Sequence, residues 1–252
     1  MKYAFEVSYD GTNHRGWQSQ PGGDTVQDAI EEALAALGER ACVTGAGRTD
    51  AGVHARAQIA HAVLEKCWVP RRLTLALNSK LPTSISVMRT AVVPDDFHAR
   101  KRATAREYRY FIYNAPSCYP HFKPYVLWLH GGHYDWSRAA ATAHLMVGEH
   151  DFRSFCRQVD CPEDTVRTVR YARLFRRGPL LVFRIVANSF LTNMIRIAVG
   201  NLLAVAAGKR DENWFRSLLT GEGDRTASAQ TVSPAGLFFW HATYPDPIDW
   251  QA

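Results

Sequence analysis

The hydrophobic period changes along this chain, and that change limits the possible folds more than any other property of the sequence. Tyr3, Phe5, Val7 and Tyr9 alternate with Ala4, Glu6 and Ser8 until Asp10-Gly11 interrupts them. A period of two belongs to a strand with one face buried. From Thr25 the spacing becomes helical through Val26, Ile30, Ala33, Leu34 and Leu37. Thr25 and Asp28 stand as a capping box, and Gly38 stands as a stop. The same patterns predict strands over 53–64 and 84–93, and a helix over 70–81 that opens on Pro70. Beyond a basic stretch at 95–106, Tyr108, Tyr110 and Ile112 share one strand face, with Arg109, Phe111 and Tyr113 on the other. A long loop is expected over 114–133 and a helix over 135–147. Strands at 166–176 and 180–187 are expected to form a hairpin about Gly178-Pro179, followed by a helix over 190–207 and a last strand over 236–244. Strands alternating with helices in both halves predict an α/β (α+β) chain of two domains, 1–104 and 105–252.

Composition bounds the partners. Of 252 residues 46% are apolar, enough for a packed core, and the 30 basic against 24 acidic side chains leave a net charge of +6. A basic balance favours a polyanionic partner. The start of the chain lacks a long apolar region and a small-residue cleavage site, so no secretory signal is expected. The most apolar stretch, 194–208, is interrupted by Arg196 and Asn201 and falls short of the roughly 20 residues of a membrane helix. An odd count of five cysteines predicts reduced thiols in the cytoplasm, and with no apolar stretch of membrane length no membrane contact is expected. Between His98 and Arg109, Arg100, Lys101, Arg102, Arg106 and Arg109 face a single acid, Glu107, and aromatic residues follow directly. Cations beside stacking rings suit a flexible nucleic acid, although a solvated linker ahead of an ordinary strand has the same composition.

The densest cluster of unusual residues is Gly45-Ala46-Gly47-Arg48-Thr49-Asp50-Ala51-Gly52-Val53-His54-Ala55. Glycines allow positive φ and close backbone approach to a ligand, while Arg48 and Asp50 are carried on a tight loop ahead of a strand. No Gly-Lys-Ser/Thr follows, and Asp50 stands near where a third glycine of a dinucleotide fingerprint belongs, so neither nucleotide motif fits. A glycine turn with a surface ion pair remains the alternative.

This segment resembles the signature loop of the tRNA pseudouridine synthase A family, and the resemblance extends along the chain. Tyr9-Asp10-Gly11-Thr12, Gly16-Trp17-Gln18-Ser19-Gln20 and Thr25-Val26-Gln27 resemble the family's opening motifs. Phe97-His98-Ala99-Arg100 and Tyr108-Arg109-Tyr110 resemble its middle motifs. Asp151 to Phe155, Asn188 to Arg196 and Ala235-Gly236-Leu237 resemble its later ones. The resemblance implies a cofactor-free isomerase that converts uridine to pseudouridine at positions 38–40 of the tRNA anticodon stem-loop. It further implies a homodimer whose chains each join two mainly antiparallel sheets side by side, with the active-site cleft between the domains.

Asp50 matches the family's catalytic aspartate, attacking either the sugar or the base. Burial raises a carboxylate's pKa, so a cation must hold its charge, and the family-equivalent residue is Arg196, which interrupts an apolar helix. Tyr108 matches the tyrosine that stacks on the target uracil. Arg48 matches the arginine that fills the space left by a flipped base, a phosphate contact being the alternative. Arg100, Lys101, Arg102 and Arg106 would grip the RNA backbone. Thr192-Asn193 and Ile197-Ala198 depart from the family's commonest wording around Arg196. Two other readings compete: a tRNA-binding module without catalysis, against which an intact Asp50 speaks, and a glycoside hydrolase, which needs a second carboxylate that the glycine loop lacks. Cys156, Cys161, His130 and His133 have too loose a spacing for a zinc site, and no metal is expected.

Overall fold

The computed structural model describes residues 1–250. The chain divides into two compact units, one of Met1–Arg106 with the segment from Phe238 onward, the other of Glu107–Leu237. The sequence places the second boundary differently, with the last strand in the C-terminal domain. That strand instead belongs with the first unit, because its pairing partner is a strand near residue 54 and no local pattern records so distant a partner.

In the first unit the elements are β1 (Lys2–Tyr9), α1 (Val26–Ala36), β2 (Thr44–Gly45), β3 (His54–Val63), α2 (Pro70–Asn78) and β4 (Ile85–Val92). β1 is antiparallel to both β4 and β3, and β2 is antiparallel to β3. The alternation of β1 holds except at Ala4, which is also buried. Tyr3, Phe5, Val7 and Tyr9 are buried, as are Val26, Ile30 and Leu34 of α1, each aliphatic side chain contributing about 1.5–3 kcal/mol. Thr25 caps α1 by accepting from the Asp28 amide at 3.2 Å. α2 lies along β4, where the Asn78 side chain accepts from the Val87 amide and donates to the Val87 carbonyl, both at 2.8 Å.

The second unit contains β5 (Ala105–Tyr113), whose first two residues fall in the first unit, then β6 (Leu127–Trp128), α3 (Trp136–His144) and β7 (Gly148–Asp151). β8 (Val166–Arg177), β9 (Leu180–Ala187), α4 (Met194–Ala206) and α5 (Glu212–Ser217) complete it. The strands run in the order β5, β9, β8, β7, and the β8–β9 hairpin turns at Gly178 as expected. α3 packs on β8 and on α4. The last strand, β10 (Leu237–Thr243), pairs in parallel with β3, Phe238 opposite His54 and Phe239 opposite Ala55. Most of these strand pairs are antiparallel, whereas β3–β10 and β5–β6 are parallel. α4 begins four residues later than the expected helix over 190–207. Asn193 takes a left-handed conformation (φ 62°), which asparagine tolerates, and ends a turn before the helix starts. Among the described residues no helix is long and apolar enough to cross a membrane.

Candidate active site

Asp50 lies on the loop between β2 and β3, half-buried and flanked by buried Thr49 and exposed Ala51. The segment after β1 is wrapped directly against this loop. A Cβ at Gly11 would stand 2.0 Å from the Val53 carbonyl oxygen, and one at Gly16, where φ is +91°, would stand 2.4 Å from that of Thr49. Only glycine permits both approaches. The approach is sealed by hydrogen bonds: the Trp17 amide donates to the Thr49 carbonyl at 3.1 Å and the Gly52 amide to the His14 carbonyl at 3.2 Å. Thr49 is held at its side chain too, with its hydroxyl 2.8 Å from that of Tyr9. Burial pushes the Tyr9 phenol well above its ordinary pKa, while bonds to Thr49 and Gln58 oppose the rise. Tyr9 is therefore a neutral brace.

The rest of the loop is fixed in the same manner. The Val53 amide closes a turn on the Asp50 carbonyl at 3.1 Å, the Ala46 amide donates to the Ile59 carbonyl at 2.7 Å, and Gln58 donates to the Gly47 carbonyl at 2.8 Å. The buried guanidinium of Arg106 donates to the Ala46 carbonyl from Nε at 3.2 Å and Nη2 at 3.1 Å. It also donates to the carbonyls of Ala103 and Arg100. This departs from the expectation of a surface cation on the RNA backbone. Arg106 has only 9% of its surface exposed, because three carbonyls from two loops surround it, and it acts as an internal clamp.

Arg48 is exposed, and its Nε donates to Gln18 Oε1 at 3.1 Å. Gln18 in turn donates to Gln27, which donates to Glu31, which accepts from the Val43 amide, each at 2.8 Å. Arg100 is half-buried. Burial and the charges of Arg48 and Arg106 all lower its pKa, which places three guanidinium groups in one field. The turn carrying Arg100 is held by imidazoles: His98 Nδ1 accepts from the Arg100 and Lys101 amides at 3.2 and 3.3 Å, and His61 Nδ1 accepts from the Ala99 amide at 3.2 Å. Burial, then the charges of His98 and Lys2, pull the His61 pKa down to about 4. Lys101 is exposed, and Arg102 donates to Asp96 and lies 3.6 Å from Asp246 in solvent-accessible pairs.

In the second unit Tyr108 is buried on β5, its ring edge-on to Phe190 at 5.1 Å. Arg196 is half-buried in the first turn of α4, where Nε donates to the Val232 carbonyl at 2.9 Å and Nη1 to Asn193 Oδ1 at 2.7 Å. Neighbouring Tyr110 donates to the Ser233 carbonyl at 2.7 Å; burial raises its pKa, and the charge of Arg196 lowers it. Residues 228–233 lie along α4, since a Cβ at Gly200 would meet the Gln230 carbonyl oxygen at 2.1 Å and Asn201 accepts from the Ala229 amide at 2.7 Å. The left-handed Asn193 thus presents its side-chain oxygen to Arg196. The candidates fall into two sets, with Asp50, Arg48, Arg100, Lys101 and Arg102 in the first unit and Tyr108 and Arg196 in the second.

Sequence reasoning passes over Tyr9, Gln18, Gln58, Asn193 and Asn201 as builders of these sets. The only signals for them are the quoted motifs and the polar interruption at Asn201, which is fully buried. Among the described residues no three His, Cys, Asp or Glu side chains are grouped to hold a metal ion. Burial and neighbouring Cys161 push the Cys156 thiol up to about 12, and His130 is stacked on Trp128.

A family model described as tRNA pseudouridine synthase matches residues 6–100 and 142–245. The chain belongs to that family, and it is an isomerase that forms pseudouridine in tRNA. Its relatives include the tRNA pseudouridine synthase A of Colwellia psychrerythraea, 39% identical over 99% of this chain and 96% of the relative. That of Salmonella paratyphi B is 41% identical over 98% of this chain and 92% of the relative. A chain of a solved Cbf5-Nop10-Gar1 complex aligns over 80% of this chain and 44% of its own at 13% identity and a TM-score of 0.37, a likeness too weak to build on.

Proposed function

We propose that this chain isomerises uridine at positions 38–40 of the tRNA anticodon stem-loop, in the cytoplasm, as a homodimer and without a cofactor. The observation that carries the reading is the loop holding Asp50. A half-buried carboxylate stands on a backbone fastened at Ala46, Gly47, Thr49, Gly52 and Val53, so its approach to a substrate is set before the substrate arrives. In the reaction the C1′–N1 bond breaks, the uracil turns, C5 bonds to C1′, the proton leaves C5 and N1 gains one. Electrons and atoms balance within one nucleotide.

Asp50 is the reacting carboxylate, at the sugar or at the base, and Arg196 is the cation that supports its charge. Tyr108 stacks on the uracil. Arg48, hydrogen-bonded to Gln18, fills the gap when the base leaves its stack. Arg100, Lys101 and Arg102 take phosphates, a role for which Arg106, with its donors committed to three carbonyls, is unsuited. The test is to incubate the pure protein with unmodified tRNA transcripts and map the pseudouridines by sequencing. Modification at 38–40 is expected; modification confined to another arm overturns the assignment.

A further inference from the structure

The loop between β5 and β6 takes no part in the chemistry above, yet it is firmly built. β6 pairs with β5, Ile112 opposite Leu127 and Tyr113 opposite Trp128, and the Leu129 amide donates to the Tyr113 carbonyl at 3.0 Å. The Trp128 indole donates to the Ala115 carbonyl at 2.8 Å. Between these anchors two successive turns close, with the Phe122 amide on the Tyr119 carbonyl and the Tyr125 amide on the Phe122 carbonyl, each at 2.9 Å.

This ordered backbone holds aromatic rings out in solvent. Among the described residues four large aromatic side chains are exposed, and Tyr119 (60%), Phe122 (43%) and Tyr125 (38%) lie in this loop; the fourth is Phe175. The rings support one another: Tyr119 and Phe122 are 5.6 Å apart, exposed His121 lies 4.6 Å from Phe122, and Tyr113 lies 6.3 Å below it. Grouped exposed rings mark a surface that something covers. The charge pattern says what. No Asp or Glu occurs between Glu107 and Asp135, a span that holds Arg109, Lys123, His121, His130 and His133. Lys123 sits over Trp128 at 4.9 Å, within the cluster. Exposed rings on a stretch of chain without acidic residues, edged by a cation, complement bases joined by phosphates.

We propose that Tyr119, His121, Phe122 and Tyr125 form a stacking platform for unpaired nucleotides of the RNA substrate, with Lys123 supplying charge to the adjoining phosphate. This contact is additional to those at the reacting uridine. It rests on the family's tRNA substrate and is independent of the role given to Asp50 and of the anticodon assignment.

The test uses the full chain, a single-stranded oligoribonucleotide containing 2-aminopurine and a tRNA transcript, with affinity read as a function of salt. Tyr119→Ala and Phe122→Ala are each expected to weaken binding about five-fold or more at an unchanged salt slope, with Tyr119→Trp retaining affinity. Lys123→Ala is expected to lower the slope by about 0.7. Wild-type affinity in folded alanine variants overturns the platform. So does a loss of binding that accompanies a changed oligomeric state on size exclusion, which would show a second copy covering the rings. Should the variants not fold, cross-linking of wild-type protein to 4-thiouridine RNA decides: adducts within 113–128 support the proposal and adducts only elsewhere defeat it. Binding is read without turnover, so failure here and failure of the Asp50 assignment remain distinguishable.

Discussion

The loop around Asp50 and the turn around Arg100 both belong to the first unit and both carry charge, yet they are built differently. The Asp50 loop is held by buried, neutral partners: amides, the Tyr9 phenol, the Gln58 amide and carbonyls, with one buried guanidinium as clamp. The Arg100 turn is held by two imidazole acceptors and flanked by solvent-accessible ion pairs. The roles proposed for them fit this difference: a group proposed to meet a reacting atom needs a fixed backbone, whereas groups proposed to meet phosphates need reach and charge. The ion pairs beside the Arg100 turn are solvent-accessible and so open to salt screening, whereas an imidazole acceptor serves both constructions, His54 Nδ1 accepting from the Gly11 amide at 3.1 Å in the segment wrapped against the Asp50 loop.

Four variants sharpen or break this contrast. The largest effect is expected from Asp50→Asn, which keeps the side chain's size and removes the charge proposed to react. Single-turnover tritium release should fall by more than about 100-fold, roughly 3 kcal/mol of barrier, with tRNA affinity within a few fold. Residual turnover above that level breaks the assignment. Next, replacing Arg100, Lys101 and Arg102 together by alanine should weaken tRNA binding about 10- to 100-fold and flatten its salt slope by about 0.7–0.9 per lost contact. An unaltered slope in filter binding would place the RNA elsewhere. Arg106→Met strips three carbonyls, those of Ala46 and Ala103 in buried bonds, of their donor and should lower stability by about 1–3 kcal/mol in urea unfolding; a variant as stable as the parent would show that the clamp holds nothing.

The smallest effect concerns His61. Its native pKa of about 4 lies below the ordinary histidine value, so the unfolded chain takes up a proton more readily. Stability is complete above about pH 6.5 and declines as the pH falls from there toward 4. His61 is only half-buried, and solvent screening reduces the effect. His61→Gln, which keeps an acceptor for the Ala99 amide, should flatten this decline when urea midpoints at pH 7 and pH 4.5 are compared. An equally steep loss in the variant would exclude the imidazole as its source.

Periodic and capped elements were legible in the sequence. Thr25 caps α1 as its pattern predicts, and the β8–β9 hairpin turns where Gly178-Pro179 stands. Short polar elements were not. β7 reads Gly-Glu-His-Asp, with no apolar alternation, and α5 has six residues, under two turns of period to detect. The Asp50 loop was readable as a motif, but its surroundings were not, because Gly11 and Gly16 owe their identity to carbonyls of Val53 and Thr49 far along the chain. Arg106 misled for the same reason. In sequence it is one more cation in a basic run, and only the Ala46 carbonyl, brought in from another loop, makes it internal.

The parallel pairing of β10 with β3 has a consequence for biosynthesis. On a ribosome the first unit cannot close when its own contiguous residues emerge, because the strand beside His54 and Ala55 is translated only after the whole of the second unit. Nascent chains stalled before Leu237 would leave that edge of β3 open to wrong partners. Maturation of the Asp50 loop's supporting strand is thereby tied to the synthesis of β10.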